Sequence, residues 1–350
     1  MPWDMVECHP SVRKAIVSSF ERNMLMGTSL IYGPPGAGQD SVARAIALTF
    51  VCTEKENDFC GRCINCVRVQ KEIFPDVFEL YPWDDWSEQQ RKNKGSEPAD
   101  RNASSFTNKK YGIDHMRIMH EYAQIHPYES EYKIFVLHHV HRMTLSAANN
   151  LLKILEEPFP HNIFLLVTDN YPALLPTILS RCRKIRLAPM PVDTLAERLA
   201  ADRPTAEAET LARAAGGLPE QARHLIENGY LEMRDELLEM LKKVREKESY
   251  VVDAANLFGK EKERLRERLT ILLGLLRDGV LSSPEFEDGS YLNPDRRQEI
   301  DLLWQGEDTE KILQDFERVL DAIEGLDRNL NATLMLTDLF MTLRSTPQSK

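Results

Sequence analysis

Residues 30–40 read LIYGPPGAGQD. The apolar run Ser29-Leu30-Ile31-Tyr32 leads into Gly33-x-x-Gly36-x-Gly38, and Val42, Ala45, Ile46 and Phe50 follow at helical spacing. Strand, glycine loop and helix in that order form the frame of a phosphate-binding loop. A working loop needs GxxxxGK followed by Ser or Thr, because backbone N–H groups and a lysine cradle the phosphates and a hydroxyl holds Mg²⁺. Here Gln39 stands at the lysine position and Asp40 at the hydroxyl position. Gln39 carries no charge, and Asp40 puts a negative one where phosphate oxygens would sit. The frame Gly33, Gly36, Gly38, Gln39 and Asp40 is therefore degenerate. Backbone N–H groups near Gly36 and Gly38 remain able to meet a phosphate at a helix N-terminus, but Asp40 opposes it, so weak or no ATP binding is expected.

The second half of such a site is an apolar strand ending in acids that bind Mg²⁺ and polarise water. Lys133-Ile134-Phe135-Val136-Leu137 is such a strand, and it ends in His138 and His139. A neutral imidazole is a poor ligand for a hard cation that takes oxygen. Two readings stand for the pair: a partly buried strand terminus, or a transition-metal site. Val77–Leu80 and Ile163–Thr168 read as further strands, and Asn149–Glu157 as a helix stopped by Pro158. This alternation over residues 1–190 predicts an α/β domain, a parallel sheet with helices on both faces. Residues 82–110 interrupt it with a polar, charged stretch that reads as a mobile loop insertion. Its Arg91, Lys92, Lys94, Lys109 and Lys110 are either a nucleic-acid contact or a solvated surface.

Six cysteines are present, and four fall in one short run, Cys52-x7-Cys60-x2-Cys63-x2-Cys66. That is too dense and local for a disulfide framework in a 350-residue chain. Four thiolates suit a closed tetrahedral Zn²⁺ site with a structural role. Buried or free thiols are the other reading. An iron–sulfur cluster fits less well, because no Cys-Pro follows at ferredoxin spacing.

The net charge of −11 argues against sequence-independent DNA binding by the whole surface. No apolar run approaches the roughly 20 residues that cross a bilayer, and the first residues lack a secretory pattern, so the cytoplasm is the expected compartment. After Pro189 and Pro191 the chain turns helical, with helices expected over 193–201, 206–215, 219–228, 231–247, 251–279, 309–325 and 329–344. Gly216-Gly217 and Pro219 are stop and start residues between two of them. Three domains are expected: 1–190, a small helical one at 191–247, and a second helical one at 248–350.

Together these residues resemble the clamp-loader group of AAA+ proteins, specifically subunits of the bacterial DNA polymerase III clamp loader. The resemblance rests on GPPGAG at 33–38, the four cysteines behind it, Ile113-Asp114-His115-Met116-Arg117, AANNLLKILEEP at 147–158 and LPTILSRC at 175–182. It implies an α/β AAA+ domain with a zinc module, a helical lid and an all-helical collar that packs subunits into a five-membered ring. It implies Zn²⁺ on Cys52, Cys60, Cys63 and Cys66. It also implies that Arg181, which spacing alone leaves as a surface charge, is an arginine finger acting in trans on ATP held by a neighbouring subunit. Expected partners are the motor subunits (gamma/tau), the clamp-opening delta subunit and, through the complex, the sliding clamp and primed DNA.

Departures from the motor subunits define the expected role. Those keep the loop lysine and threonine, the acidic strand end, and an arginine in a Gly-Ser-x-Arg motif of the lid. The matching stretch here is Gly216-Gly217-Leu218-Pro219-Glu220, with Pro219 in the arginine's place. Thr168 keeps the usual sensor position. The expectation is a clamp-loader subunit that does not hydrolyse ATP. Two others compete: a motor ATPase with substituted residues, in which Asp40 holds Mg²⁺ and His139 positions water, and a nucleic-acid module built on the cysteine cluster and the loop at 82–110.

Overall fold

The computed structural model describes the chain except residues 1, 2, 4, 5, 7, 23, 56, 57, 83–108, 158, 259, 260, 284, 285, 287–289, 328–331 and 345–350. The loop insertion, Pro158 and the first residues of the helix expected over 329–344 thus lie wholly or mostly outside the described residues. The chain forms two compact units. One comprises Met1–Pro191 with Leu218–Gln221, the other Val192–Gly217 with Ala222–Lys350.

The first unit is built on a parallel sheet in the order β2-β3-β4-β1-β5. Its strands are β1 (Gly27–Tyr32), β2 (Val77–Leu80), β3 (Lys133–Leu137), β4 (Asn162–Thr168) and β5 (Arg183–Arg186). Successive strand residues point to opposite faces, and the two faces carry separate cores. Ile134, Val136, Ile163, Leu165 and Val167 pack with residues of α1 (Pro10–Glu21), α2 (Gln39–Val51) and α3 (Ile64–Gln70). Phe135, Leu137, Phe164 and Leu166 pack with α4 (Ile113–Gln124), α5 (Leu145–Glu156) and α6 (Pro176–Leu179). A sheet buried on both sides needs the continuous apolar runs of β3 and β4. On the second face Phe78, Phe135 and Phe164 stack across three strands, with ring centroids 5.1 and 5.2 Å apart. Such pairs add about 0.5–1.5 kcal/mol each beyond area burial.

Local chemistry fixes the ends of these elements. Thr144 caps α5 by accepting the Ala147 N–H at 3.2 Å, so this helix starts four residues before the expected Asn149. Lys133 is fully buried at the start of β3, where its ammonium donates to the carbonyls of Tyr122 (3.0 Å) and Ile125 (2.8 Å) at the end of α4. A cation suits the carbonyl end of a helix. The basic strand Arg183–Arg186 has no apolar alternation to announce it; its pairing with β1 creates it.

The second unit is helical throughout its described regular structure. Segments on both sides of residue 247 share one core, in which Tyr230, Leu237 and Leu241 pack with Leu265, Leu269 and Leu272. Its main buried polar feature is Arg234, 1% exposed, which holds Asp295 with two bonds of 2.7 and 2.8 Å. Thr210 donates to the same carboxylate at 2.8 Å. The single helix expected over 251–279 is instead two, α11 (Val251–Leu257) and α12 (Lys262–Leu281), counting α7–α10 as Val192–Leu199, Thr205–Ala214, Pro219–Glu227 and Tyr230–Glu246. Among the described residues no helix is long and apolar enough to cross a membrane.

Candidate functional site

The glycine loop leaves the carboxyl end of β1, the edge at which open parallel sheets bind ligands. Gly33 is required by close approach, since a Cβ there would lie 2.7 Å from the Leu187 carbonyl oxygen. Gly38 caps α2 in the left-handed region, φ 90°. Gln39 is folded back into the loop. It is 5% exposed, and its amide nitrogen donates to the carbonyls of Gly33 (2.9 Å) and Pro34 (2.8 Å). A side chain at the lysine position thus closes the loop on itself.

Asp40 lies one residue further and turns to the sheet. Its Oδ1 is 2.6 Å from Nδ1 of His138, just past the end of β3. His138 is fully buried, a correction to the partly buried terminus expected of it, and its ring stacks on Tyr81 at 4.2 Å between centroids. Its Nε2 faces Glu79 Oε2 at 3.6 Å, and Glu79 in turn holds Arg44 through bonds of 2.8 and 2.6 Å. Burial disfavours a charged imidazole, but the Asp40 and Glu79 carboxylates outweigh it and raise His138 to about 9. Partial desolvation opposes ionisation of Asp40, whose side chain is half exposed, and full burial opposes it at Glu79, yet His138 holds Asp40 below its ordinary range, and His138 with Arg44 holds Glu79 far below it. The result is a chain of alternating charges, Asp40, His138, Glu79 and Arg44. Glu79 and Arg44 are not legible as partners in the sequence; the one signal is an acid inside the apolar strand Val77–Leu80.

In front of this chain lies a cleft of about 110 Å³. Asp40, Asp169 and Glu220 bring three carboxylates to it, with Gln39, His139 and Thr168. Among the described residues no lysine or arginine lines it. Thr168, at the end of β4, has its hydroxyl 3.0 Å from Nδ1 of His141 and accepts the Asn170 N–H at 3.1 Å. The sensor-position hydroxyl is thereby tied to the protein. Burial pushes His139 and His141 toward the neutral imidazole. Pro219 sits at the first position of its helix, as a residue without an N–H should.

The four cysteines converge between α2 and α3. Their sulfurs lie within 4.8 Å of one another. The 4.0 Å separation of the Cys60 and Cys66 sulfurs is close to the ~3.8 Å edge of a tetrahedron with metal–sulfur bonds of ~2.3 Å. Backbone N–H groups of Cys60, Cys63 and Cys66 point at the sulfurs of Cys52 (3.3 Å), Cys60 (3.1 Å) and Cys63 (3.4 Å). Burial raises the Cys63 thiol, but N–H groups of Cys66 and Thr53 favour its thiolate and bring it to about 6. The donor set fits a metal ion such as zinc.

Arg181 follows α6 on the surface of the first unit, with its side chain 35% exposed. Its guanidinium donates to Glu156 Oε1 at 2.6 Å and to the Thr177 carbonyl at 3.0 Å. The two long motifs of the sequence, AANNLLKILEEP and LPTILSRC, thus meet through one ion pair.

A family model described as DNA polymerase III, delta subunit, matches residues 8–191, and a second, described as its C-terminal part, matches residues 228–345. The chain belongs to this family. The DNA polymerase III subunit delta′ of Bacillus subtilis is 25% identical over 97% of this chain and 98% of that protein. The delta′ subunit of Haemophilus influenzae is 28% identical over 68% of this chain and 64% of its own length. The tau subunit of Bacillus subtilis is 26% identical over only 49% of this chain and 26% of itself. The resemblance read from the motifs is borne out at the level of the family, and the parallel sheet flanked by helices, with a helical second unit, is the architecture expected.

Proposed function

We propose that this chain is a delta-prime-like subunit of the DNA polymerase III clamp loader that does not hydrolyse ATP in its own loop. It supplies Arg181 to ATP on a neighbouring gamma/tau-type motor subunit. The observation that carries the reading is Gln39. A lysine there would extend to the phosphates; the amide spends its N–H groups on two loop carbonyls and leaves the cleft to carboxylates. Cys52, Cys60, Cys63 and Cys66 hold Zn²⁺ in a closed, structural site. Residues 191–247 act as a lid and 248–350 as a collar for assembly with motor and clamp-opening delta subunits. The sliding clamp and primed DNA are reached through that complex, in the cytoplasm.

A motor role of the gamma/tau kind is the second reading, favoured by the tau match over the first half of the chain. The delta′ relative from the same organism spans nearly the whole of both chains and weighs against it. ATP turnover by the purified chain separates the two. Background turnover, unchanged by Asp40→Ala, is expected. Steady turnover that Asp40→Ala abolishes would overturn the reading.

A further inference from the structure

His139 and His141 flank Val140, whose side chain is buried and pins the turn Val140–Arg142. His139 adopts φ 51° and ψ 44°, a left-handed conformation uncommon outside glycine, asparagine and aspartate. The two imidazole rings stand at 90° with centroids 5.9 Å apart. Asp169, at the end of β4, reaches the same place, with Oδ1 3.2 Å from Nδ1 of His141. One donor atom from each of the three residues lies within 4.8 Å of the others.

We propose that His139, His141 and Asp169 form a second metal site, distinct from the cysteines, for a divalent transition-metal ion of the Zn²⁺ class. The 3.2 Å nitrogen–oxygen separation matches the ~3.3 Å edge of a tetrahedron with bonds of ~2.0–2.1 Å. Ion binding at Nδ1 takes up the nitrogen that otherwise meets the Thr168 hydroxyl at 3.0 Å. Two imidazoles and one carboxylate select zinc-like ions over Mg²⁺, which takes oxygen ligands. Three protein ligands leave one position open. His139 and Asp169 both line the cleft, which has room for a few waters and carries the further carboxylates of Asp40 and Glu220. The negative charge that repels a triphosphate attracts this ion.

The test is zinc content of the full, reduced chain after dialysis against micromolar Zn²⁺, for wild type, His139→Asn and Asp169→Asn. Asparagine tolerates the left-handed backbone and is a poor zinc ligand. Wild type should retain two equivalents and each variant one, with unchanged circular dichroism. The same comparison in a Cys60→Ser/Cys63→Ser background should give one equivalent, and none once His139→Asn is added, so the result does not depend on the cysteine site. Equal zinc in wild type and variants, or none in a cysteine-substituted chain whose circular dichroism matches wild type, overturns the proposal.

Discussion

Asp40 and His138 meet at 2.6 Å, joining the first turn of α2 to the end of β3. In a working phosphate-binding site both positions would face a magnesium ion and its nucleotide. Here they face each other. The position that usually supplies a hydroxyl supplies an anion, the position that usually supplies an acid supplies an imidazole, and the two pair with each other.

That closure should be visible in stability against pH. His138 is raised from 6.5 to about 9 on folding. Its contribution is complete below pH 6.5, fades as the pH rises, and is lost once the pH passes about 9. Urea denaturation of wild type and His138→Asn should differ by on the order of 3 kcal/mol at pH 6. Above pH 9 the pH-dependent part of the difference should vanish, leaving only the packing lost with a buried ring stacked on Tyr81. A difference independent of pH would mean that the imidazole is not charged in the fold.

The cysteine cluster should hold the N-terminal unit together. Cys63→Ser is expected to cost one zinc per chain, and chelation to remove that zinc together with the one on His139, His141 and Asp169; either should lower the melting temperature. The two treatments should not add. Zinc release assayed beside thermal circular dichroism checks this, and release with no change in melting would remove the structural role.

The buried Arg234–Asp295 pair makes a sharper stability prediction in the second unit. Arg234→Ala leaves the Asp295 carboxylate, 13% exposed, with the Thr210 hydroxyl as its remaining hydrogen-bond donor among the described residues. Breaking a buried pair from one side costs about 3–5 kcal/mol. Denaturant titration should show that loss, while Arg297→Ala, at an exposed position, should cost less than about 1 kcal/mol.

The sheet could be read from the sequence because its strands are apolar runs with both faces buried. Val77–Leu80 is placed to the residue, and the β3 and β4 ranges to within one. The basic strand Arg183–Arg186 could not be read, since tertiary pairing, not composition, makes it a strand. Gln39 and Asp40 were legible as substitutions, because a motif states what should stand there. Their present partners were not. The amide bonds of Gln39 and the path through His138, Glu79 and Arg44 join residues from four elements, and only folding brings them together. His141 and Asp169 carried a faint signal, a histidine two residues after His139 and an acid just past a strand.

Arg181 decides the central claim. Its pair with Glu156 is surface-exposed, so Arg181→Ala should alter folding stability by less than about 1 kcal/mol. The measurement is DNA- and clamp-stimulated ATPase of the complex reconstituted with the motor and clamp-opening subunits, with wild-type chain or Arg181→Ala. An arginine finger is worth roughly 10³–10⁵ in rate at the site it serves. Turnover at the adjoining motor site should collapse by at least two orders of magnitude while the complex still assembles. An assembled complex that hydrolyses ATP at that site at the wild-type rate would contradict the account.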